Sequence, residues 1–366
     1  MYHSFRPGMP WLDTEGKPIQ AHGYSVFYRD GIYYWYGENK EHTHGGLFNK
    51  VWHWGVRCYS STDLYNWQDR GLIIEPQPED LQSPLHPTYC MDRPHILYCE
   101  KTGKYVAWLK IMCGRTSQFI SVMQADDFLG PYEFVRKIYK PLDMDTGDFT
   151  LVKDEHTGKA YFIFDRPHFE IVTATLTEDY TAVTGEFTAH YQGLQPPYAR
   201  EAPAYFTKNG RHYLMTSGTT GYDPNPTRIC VFDDFHGSYE DMGEVCAGDV
   251  DATSFYSQFT CVLPVGNLYI AMADRWLPER RHRHRAKRNA QKIRKTYGSV
   301  TPYLPTEAEL APRSANELPG KWLRHGENTS ISRYVWLPIQ FENGKPVIRW
   351  YDEWKIEDFI KGRNAE

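Results

Sequence analysis

The chain has 366 residues, enough for two domains or one large β architecture. A net charge of −5 supplies no global basic field for nucleic acid, and no stretch approaches the ~18 apolar residues of a membrane span. Aromatic content is 15%, rich in Tyr and Trp, which suits strands and a β core.

Five segments in chain order start alike. They are His22-Gly-Tyr-Ser-Val with Gly31-Ile-Tyr-Tyr-Trp, Asp92-Arg-Pro-His-Ile with Gly103-Lys-Tyr-Val-Ala-Trp, Asp148-Phe-Thr-Leu-Val with Gly158-Lys-Ala-Tyr-Phe-Ile, Glu201-Ala-Pro-Ala-Tyr with Gly210-Arg-His-Tyr-Leu, and Gln258-Phe-Thr-Cys-Val with Gly266-Asn-Leu-Tyr-Ile. Each reads as strand, tight turn, strand. The lead residues are 70, 56, 53 and 57 positions apart. After the first four hairpins comes a further strand closed by an acidic turn: Val56 to Trp67, Phe119 to Phe128, Ile171 to Tyr180 and Arg228 to Phe235. Four strands per repeat predict an all-β chain, a five-bladed β-propeller in one domain spanning 1–366. Radial blades bring equivalent positions to one axis, so the five lead residues are expected at one mouth.

The fifth blade is expected to finish at Tyr334 to Trp350, after an insertion of about 279–330. That insertion opens with a basic run from Glu279 to Lys295 and then turns Pro-rich. It reads as a surface helix, lid or oligomer contact set between strands, more than as a docking site for an anion. About fifteen residues from Trp350 are expected to pack back over the propeller. Seven cysteines without C-x-x-C spacing, several within apolar strands, read as buried thiols of a reducing compartment. The N-terminus has no charged region followed by an apolar run, so the chain reads as cytoplasmic, or as secreted if a signal peptide has been removed.

Glycoside hydrolysis needs a protonated acid and a second group across the ring. Two carboxylates in a half-buried funnel raise one another's pKa, and Glu201 and Asp148 head adjacent blades. Glu201 is the expected acid, and Asp148 the group that tunes and orients it. Asp92 is a third carboxylate, either a base or a hydrogen-bond partner of sugar hydroxyls, with Arg93 partly neutralising it. His22 either lines the axis or is a buried structural histidine. Gln258 has no basic amide, but its carbonyl can position water.

The chain resembles glycoside hydrolase family 43, in the branch of exo-β-1,3-galactanases. The resemblance rests on Ala21-His-Gly, Tyr33-Tyr-Trp-Tyr-Gly-Glu38, Tyr59 to Trp67, Arg93-Pro94, Gly147-Asp-Phe-Thr-Leu, Glu201-Ala-Pro-Ala, Thr216 to Tyr222, Ser257-Gln258 and Asp274-Arg-Trp-Leu-Pro278, in that order. It implies an inverting mechanism with Glu201 as acid, Asp148 as pKa modulator and Gln258 at the place of the usual aspartate base. Candidate sugar contacts are His22, Glu38, Asp92, Thr219 and Tyr222, with Trp54 and Trp276 as stacking platforms. Two departures bear on the sugar. That branch commonly has Glu-Arg-Pro-Lys at Asp92-Arg-Pro-His95, and a histidine at the Trp108-Leu-Lys110 pattern. The expectation is an exo-acting enzyme releasing galactose from β-1,3-linked galacto-oligosaccharides. The alternatives are an arabinofuranosidase or galactofuranosidase on the same scaffold, or a non-catalytic glycan-binding propeller. The expected partner is an oligosaccharide; no cofactor, metal, nucleic acid or membrane partner is called for.

Overall fold

A computed structural model describes residues 1–46, 49–113, 117–311 and 326–360, and its strands pair as five separate four-stranded antiparallel sheets. Blade 1 comprises β1 (His22–Arg29), β2 (Ile32–Glu38), β3 (Val56–Ser61) and β4 (Gln68–Ile74). Blade 2 comprises β5 (Cys90–Cys99), β6 (Lys104–Cys113), β7 (Ser117–Ala125) and β8 (Glu133–Tyr139). Blade 3 comprises β9 (Phe149–Lys153), β10 (Ala160–Arg166), β11 (Glu170–Leu176) and β12 (Val183–His190). Blade 4 comprises β13 (Arg200–Lys208), β14 (Arg211–Gly218), β15 (Arg228–Phe232) and β16 (Glu240–Glu244). Blade 5 comprises β17 (Gln258–Val265), β18 (Leu268–Arg275), β19 (Arg333–Glu342) and β20 (Lys345–Ile348). The first strands meet in a ring, each against the next and β17 against β1. This is the five-bladed propeller expected from the repeat.

Local chemistry sets the blades. Asp30-Gly31, Asn209-Gly210 and Asn343-Gly344 all have positive φ and join strands whose end residues pair directly. Two left-handed residues match the twist of antiparallel strands, which is why Asn-Gly and Asp-Gly dominate such turns. At the opposite end, four first strands slip register just after the start: between His22 and Ser25, Asp92 and His95, Glu201 and Ala204, and Phe259 and Cys261. A bulge bends a strand and re-aims its side chains. Here it recurs beside the lead residues.

The ring closes without exchanging a strand between first and last blades; side chains form the seam. Trp35, Tyr24, Tyr334 and Trp336 are fully buried in one cluster with Phe5 and Trp354. Trp336 Nε1 donates to Tyr24 Oη at 2.7 Å, and Tyr334 Oη donates to the Ile19 carbonyl at 3.0 Å. Phe5 and Trp354 exchange backbone hydrogen bonds of 2.8 and 3.1 Å, so the C-terminal segment does pack back, against the N-terminal one. Burying such a ring contributes about 1.5–3 kcal/mol, and this seam holds several.

The insertion lies between β18 and β19 and opens with helix α1 (Arg280–Thr296). Ala286, Ala290 and Ile293 form its buried stripe. Three of its cations pair with the propeller: Arg285 with Asp223 at 2.8 Å, Lys287 with Asp251 at 2.6 Å and Arg294 with Glu244 at 2.6 Å. The basic run is therefore a surface helix set between strands, docked on the propeller. Residues 312–325, the rest of the Pro-rich stretch, lie outside the described residues. No described helix is long and apolar enough to cross a membrane. The six cysteines with described side chains are free and buried.

Candidate active site

The five lead residues sit at the same end of the first strands, and the hairpin register gives each a partner on the second strand. His22 pairs with Glu38, Asp92 with Lys110, Glu201 with Ser217, and Gln258 with Asp274. Asp165 N–H donates to the Asp148 carbonyl at 2.9 Å, completing the set in blade 3. The partners reach sideways into the following blade. Asp274 Oδ1 meets His22 Nδ1 at 2.9 Å, Glu38 Oε1 accepts from Arg93 N–H at 3.0 Å, Lys110 Nζ reaches Asp148 Oδ1 at 2.9 Å, and Ser217 Oγ accepts from Gln258 Nε2 at 2.9 Å. Asp165 makes no such bond; its Oδ1 is buried without a hydrogen-bond partner.

Charge is distributed unevenly around this mouth. Lys110 Nζ bridges Asp148 at 2.9 Å and Asp92 at 3.3 Å, and Arg93 Nε reaches Asp148 Oδ2 at 2.9 Å. Burial pushes the Asp148 carboxyl up, but Arg93 and Lys110 outweigh it and hold it below the usual range. Asp92 is likewise lifted by burial and pulled down further by Lys110 and Lys40, so it stays ionised. Glu201 has no cation in contact. Burial, then the Asp148 charge, then Asp165 drive its pKa well above the ordinary value. Two neighbouring carboxyl groups whose environments separate their pKa values are the signature of an acid held protonated beside a fixed anion. Arg93 turns to Asp148 and to Gln258, not to Asp92, which corrects the expected Asp92–Arg93 neutralisation. Its φ of +49° at the bulge breaks the strand alternation that would turn it away from the mouth.

Gln258 is fixed from four sides. Its Oε1 accepts from Arg93 Nη2 at 3.0 Å and Trp276 Nε1 at 3.3 Å. Arginine and tryptophan only donate, so the amide orientation is forced. Nε2 then points to Ser217 and to Glu201 Oε1, at 2.9 and 3.2 Å. The expected place for Gln258 was across the sugar from the acid, at roughly the 6.5–9.5 Å that admits a water. Its contact with Glu201 at 3.2 Å is much closer.

The sequence profile of glycosyl hydrolases family 43 matches residues 17–247. The chain belongs to glycosyl hydrolases family 43. Over 96% of its length it is similar to the whole (100%) of a family 43 β-1,3-galactosidase solved with galactodeoxynojirimycin, at 28% identity and a TM-score of 0.73. Over 97% it is similar to a second family 43 β-1,3-galactosidase, at 26% identity and a TM-score of 0.72, and spans 64% of that longer chain. An exo-β-1,3-galactanase from Phanerochaete chrysosporium, a variant solved with β-1,3-galactotriose, shares the fold at 23% identity and a TM-score of 0.72, over 97% of this chain and 68% of that one. A search of curated proteins gives no match.

Family 43 is a family of glycosidases, and this chain surrounds its carboxyl cluster with aromatic rings. Tyr222 packs on Trp276 at 5.3 Å and faces Trp52 at 6.5 Å between ring centroids. Trp52 Nε1 donates to Asp92 Oδ1 at 2.9 Å, and Lys40 Nζ lies 5.1 Å above its ring. Trp54, one of two expected platforms, packs edge-on against His42 at 4.9 Å. The wall tryptophan is Trp52, two positions earlier in a loop where no strand alternation distinguishes them. His22 is 0% exposed, stacks on Tyr334 at 4.9 Å and hydrogen-bonds through both ring nitrogens to Asp274 and Tyr334. It is the buried structural histidine, not a sugar contact. Glu38 is 1% exposed and paired with Lys40 Nζ at 2.7 Å, behind the mouth. Thr219 is 9% exposed, with its Oγ1 lacking a partner. Arg93, Lys110, Lys40, Trp52 and Asp165 were not anticipated as site residues.

Proposed function

We propose that this family 43 protein is an exo-acting, inverting glycosidase, one catalytic unit that releases galactose from β-1,3-linked galacto-oligosaccharides. The observation that carries the reading is Glu201 pushed up in pKa beside an Asp148 held ionised by Arg93 and Lys110. Glu201 protonates the glycosidic oxygen as the bond breaks. Before substrate enters, Gln258 Nε2 donates to Glu201 Oε1, so the proton of the neutral acid resides on Oε2. Asp92, anchored by Lys110 and Trp52, and the unpartnered Thr219 hydroxyl grip sugar hydroxyls, while Trp276 and Tyr222 cover the ring.

Water attacks the anomeric carbon from the opposite face as the glycosidic bond breaks, and its proton passes to solvent water because the Gln258 amide is not a base. No further carboxylate at the blade starts is free to form a glycosyl ester, because Asp92 and Asp148 are both tied to cations. The sugar enters between Glu201 and Gln258 and widens their contact to about 6.5–9.5 Å, and Trp276 yields its place on Gln258 Oε1 to the water. The test is proton NMR of the first product from β-1,3-galactobiose, read before mutarotation. Galactose of inverted configuration is expected. A retained configuration would require a covalent intermediate and end this mechanism. A parallel panel of galactopyranosides, galactofuranosides and arabinofuranosides separates the galactosidase from the furanosidase alternative.

A further inference from the structure

Three arginines converge on a cavity of about 600 Å³ outside the carboxyl cluster: Arg275 at the end of β18, Arg333 at the start of β19 and Arg283 on α1. Among the described residues none of the three has a carboxylate within salt-bridge distance. Arg275 Nη2 donates to the Phe255 carbonyl at 2.8 Å and Arg333 Nη1 to the Gly8 carbonyl at 3.2 Å. Arg275 Nε is buried without a hydrogen-bond partner. The Arg275 guanidinium lies over Trp350 at 5.3 Å, and that of Arg283 over Tyr256 at 5.3 Å. Burial, then Arg283, then Arg333 bring the Arg275 pKa down to about 10. Gathering like charges in a half-buried cavity costs free energy that a counter-anion would return.

The carboxylates lining the same cavity do not supply it. Asp251 is committed to Lys287 at 2.6 Å and to the Tyr256 hydroxyl at 2.6 Å. Asp249 Oδ2 accepts from the Thr253 and Phe255 backbone N–H groups at 2.7 and 3.3 Å. Asp352 accepts from Trp350 Nε1 at 2.8 Å. Glycine at position 8 leaves room for the cluster, since a Cβ there would overlap the Arg275 guanidinium.

We propose that this cavity is an oxyanion-binding site, taking a carboxylate or phosphate group between Arg275, Arg283 and Arg333. Guanidinium forks match the planar or tetrahedral oxygens of both groups, and the Trp350 and Tyr256 rings flank whatever carries them. Tyr256 also borders the small pocket that holds Gln258, Tyr222 and Trp276, so the two sites adjoin. The inference stands on the arginine cluster and does not depend on Glu201 acting as an acid.

Titration calorimetry at low ionic strength tests it with two probes, inorganic phosphate and galacturonate, on the whole chain and on Arg283→Gln, Arg333→Gln and the double variant. Binding of at least one probe is expected, weakened about tenfold or more for each arginine removed. Binding of both probes identifies a free oxyanion site. Binding of galacturonate alone identifies an acidic sugar as the source of the anion. No binding of either probe to the parent chain overturns the proposal, as does unchanged binding in variants whose circular dichroism shows them folded. If the double variant does not fold, the two single variants decide on the same criterion.

Discussion

At the start of blade 1, His22 is followed by Gly23 with φ +54°, and at the start of blade 4, Glu201 is followed by Ala202 with φ +54°. Both strands then slip register before the next regular pair. The backbone device is the same, and it delivers the two side chains to equivalent points of the ring. Their surroundings differ. Blade 5 supplies His22 with the Asp274 carboxylate at 2.9 Å, and Tyr334 covers its ring. Blade 3 offers Glu201 the Asp148 and Asp165 carboxyls, which raise its pKa without bonding to it, and blade 5 offers an uncharged amide. Phase in the repeat fixes where a residue sits; the neighbouring blade decides whether it is locked or left reactive.

The sharpest test of that contrast is Glu201→Gln. Hydrolysis of a natural disaccharide should fall about 10²–10⁴-fold, the usual worth of a general acid, with the melting temperature nearly unchanged. Near-normal turnover would remove Glu201 from the acid role. Asp148→Asn should act on the same group from the side. Removing the Asp148 charge takes away a cause of the raised Glu201 pKa and frees Arg93 and Lys110 to lower it further. Glu201 then loses its proton at lower pH, so the alkaline limb of the kcat/KM profile should move to lower pH. A limb that stays in place or moves upward would show that Asp148 does not tune Glu201.

His22→Ala probes the locked side. It leaves Asp274 Oδ1, in a fully buried seam, without its imidazole partner, and only the Gly23 N–H at 2.8 Å remains on the other oxygen. The expected cost is about 3 kcal/mol of stability, read by denaturant unfolding. At a temperature where the variant is folded, turnover of an activated aryl galactoside should fall by far less than in Glu201→Gln. An equal loss of turnover with no loss of stability would place His22 in the chemistry after all.

The architecture and the convergence of five lead positions were legible because strand–turn–strand spacing repeats and propellers map phase onto radius. What could not be read was the sideways stitching. Lys110, Ser217 and Asp274 are recoverable in principle by folding each hairpin about its turn, because they pair directly with Asp92, Glu201 and Gln258. That they bond into the next blade depends on packing between sheets, which no periodicity encodes. Arg93 was misdirected for a related reason. Alternation puts adjacent residues on opposite faces, but a bulge with φ +49° breaks the rule at that residue. Trp52 and Trp54 lie in a loop, where sequence offers no basis for preferring one.

The smallest effect is expected from the insertion in blade 5. Replacing residues 279–327 by a short polar linker should leave the propeller folded. Arg275 and Arg333, the residues that flank the insertion, are already paired across β18 and β19, so a short connection suffices and loop closure costs little. Among the described residues, the loss includes the docked stripe of Ala286, Ala290 and Ile293, of which only Ile293 is large, and the Tyr297 ring beneath Arg228. Burying one such side chain is worth about 1.5–3 kcal/mol, and the ion pairs of Arg285 and Lys287, which keep 53% and 44% side-chain exposure, add little. Asp223, Glu244 and Asp251 would be released to solvent, where carboxylates need no partner. A drop of a few degrees in melting temperature with the β-rich circular dichroism retained is the expected result. Loss of soluble protein would mean that α1 belongs to the core of the fifth blade, and that the position-by-position equivalence of the blades stops at β18.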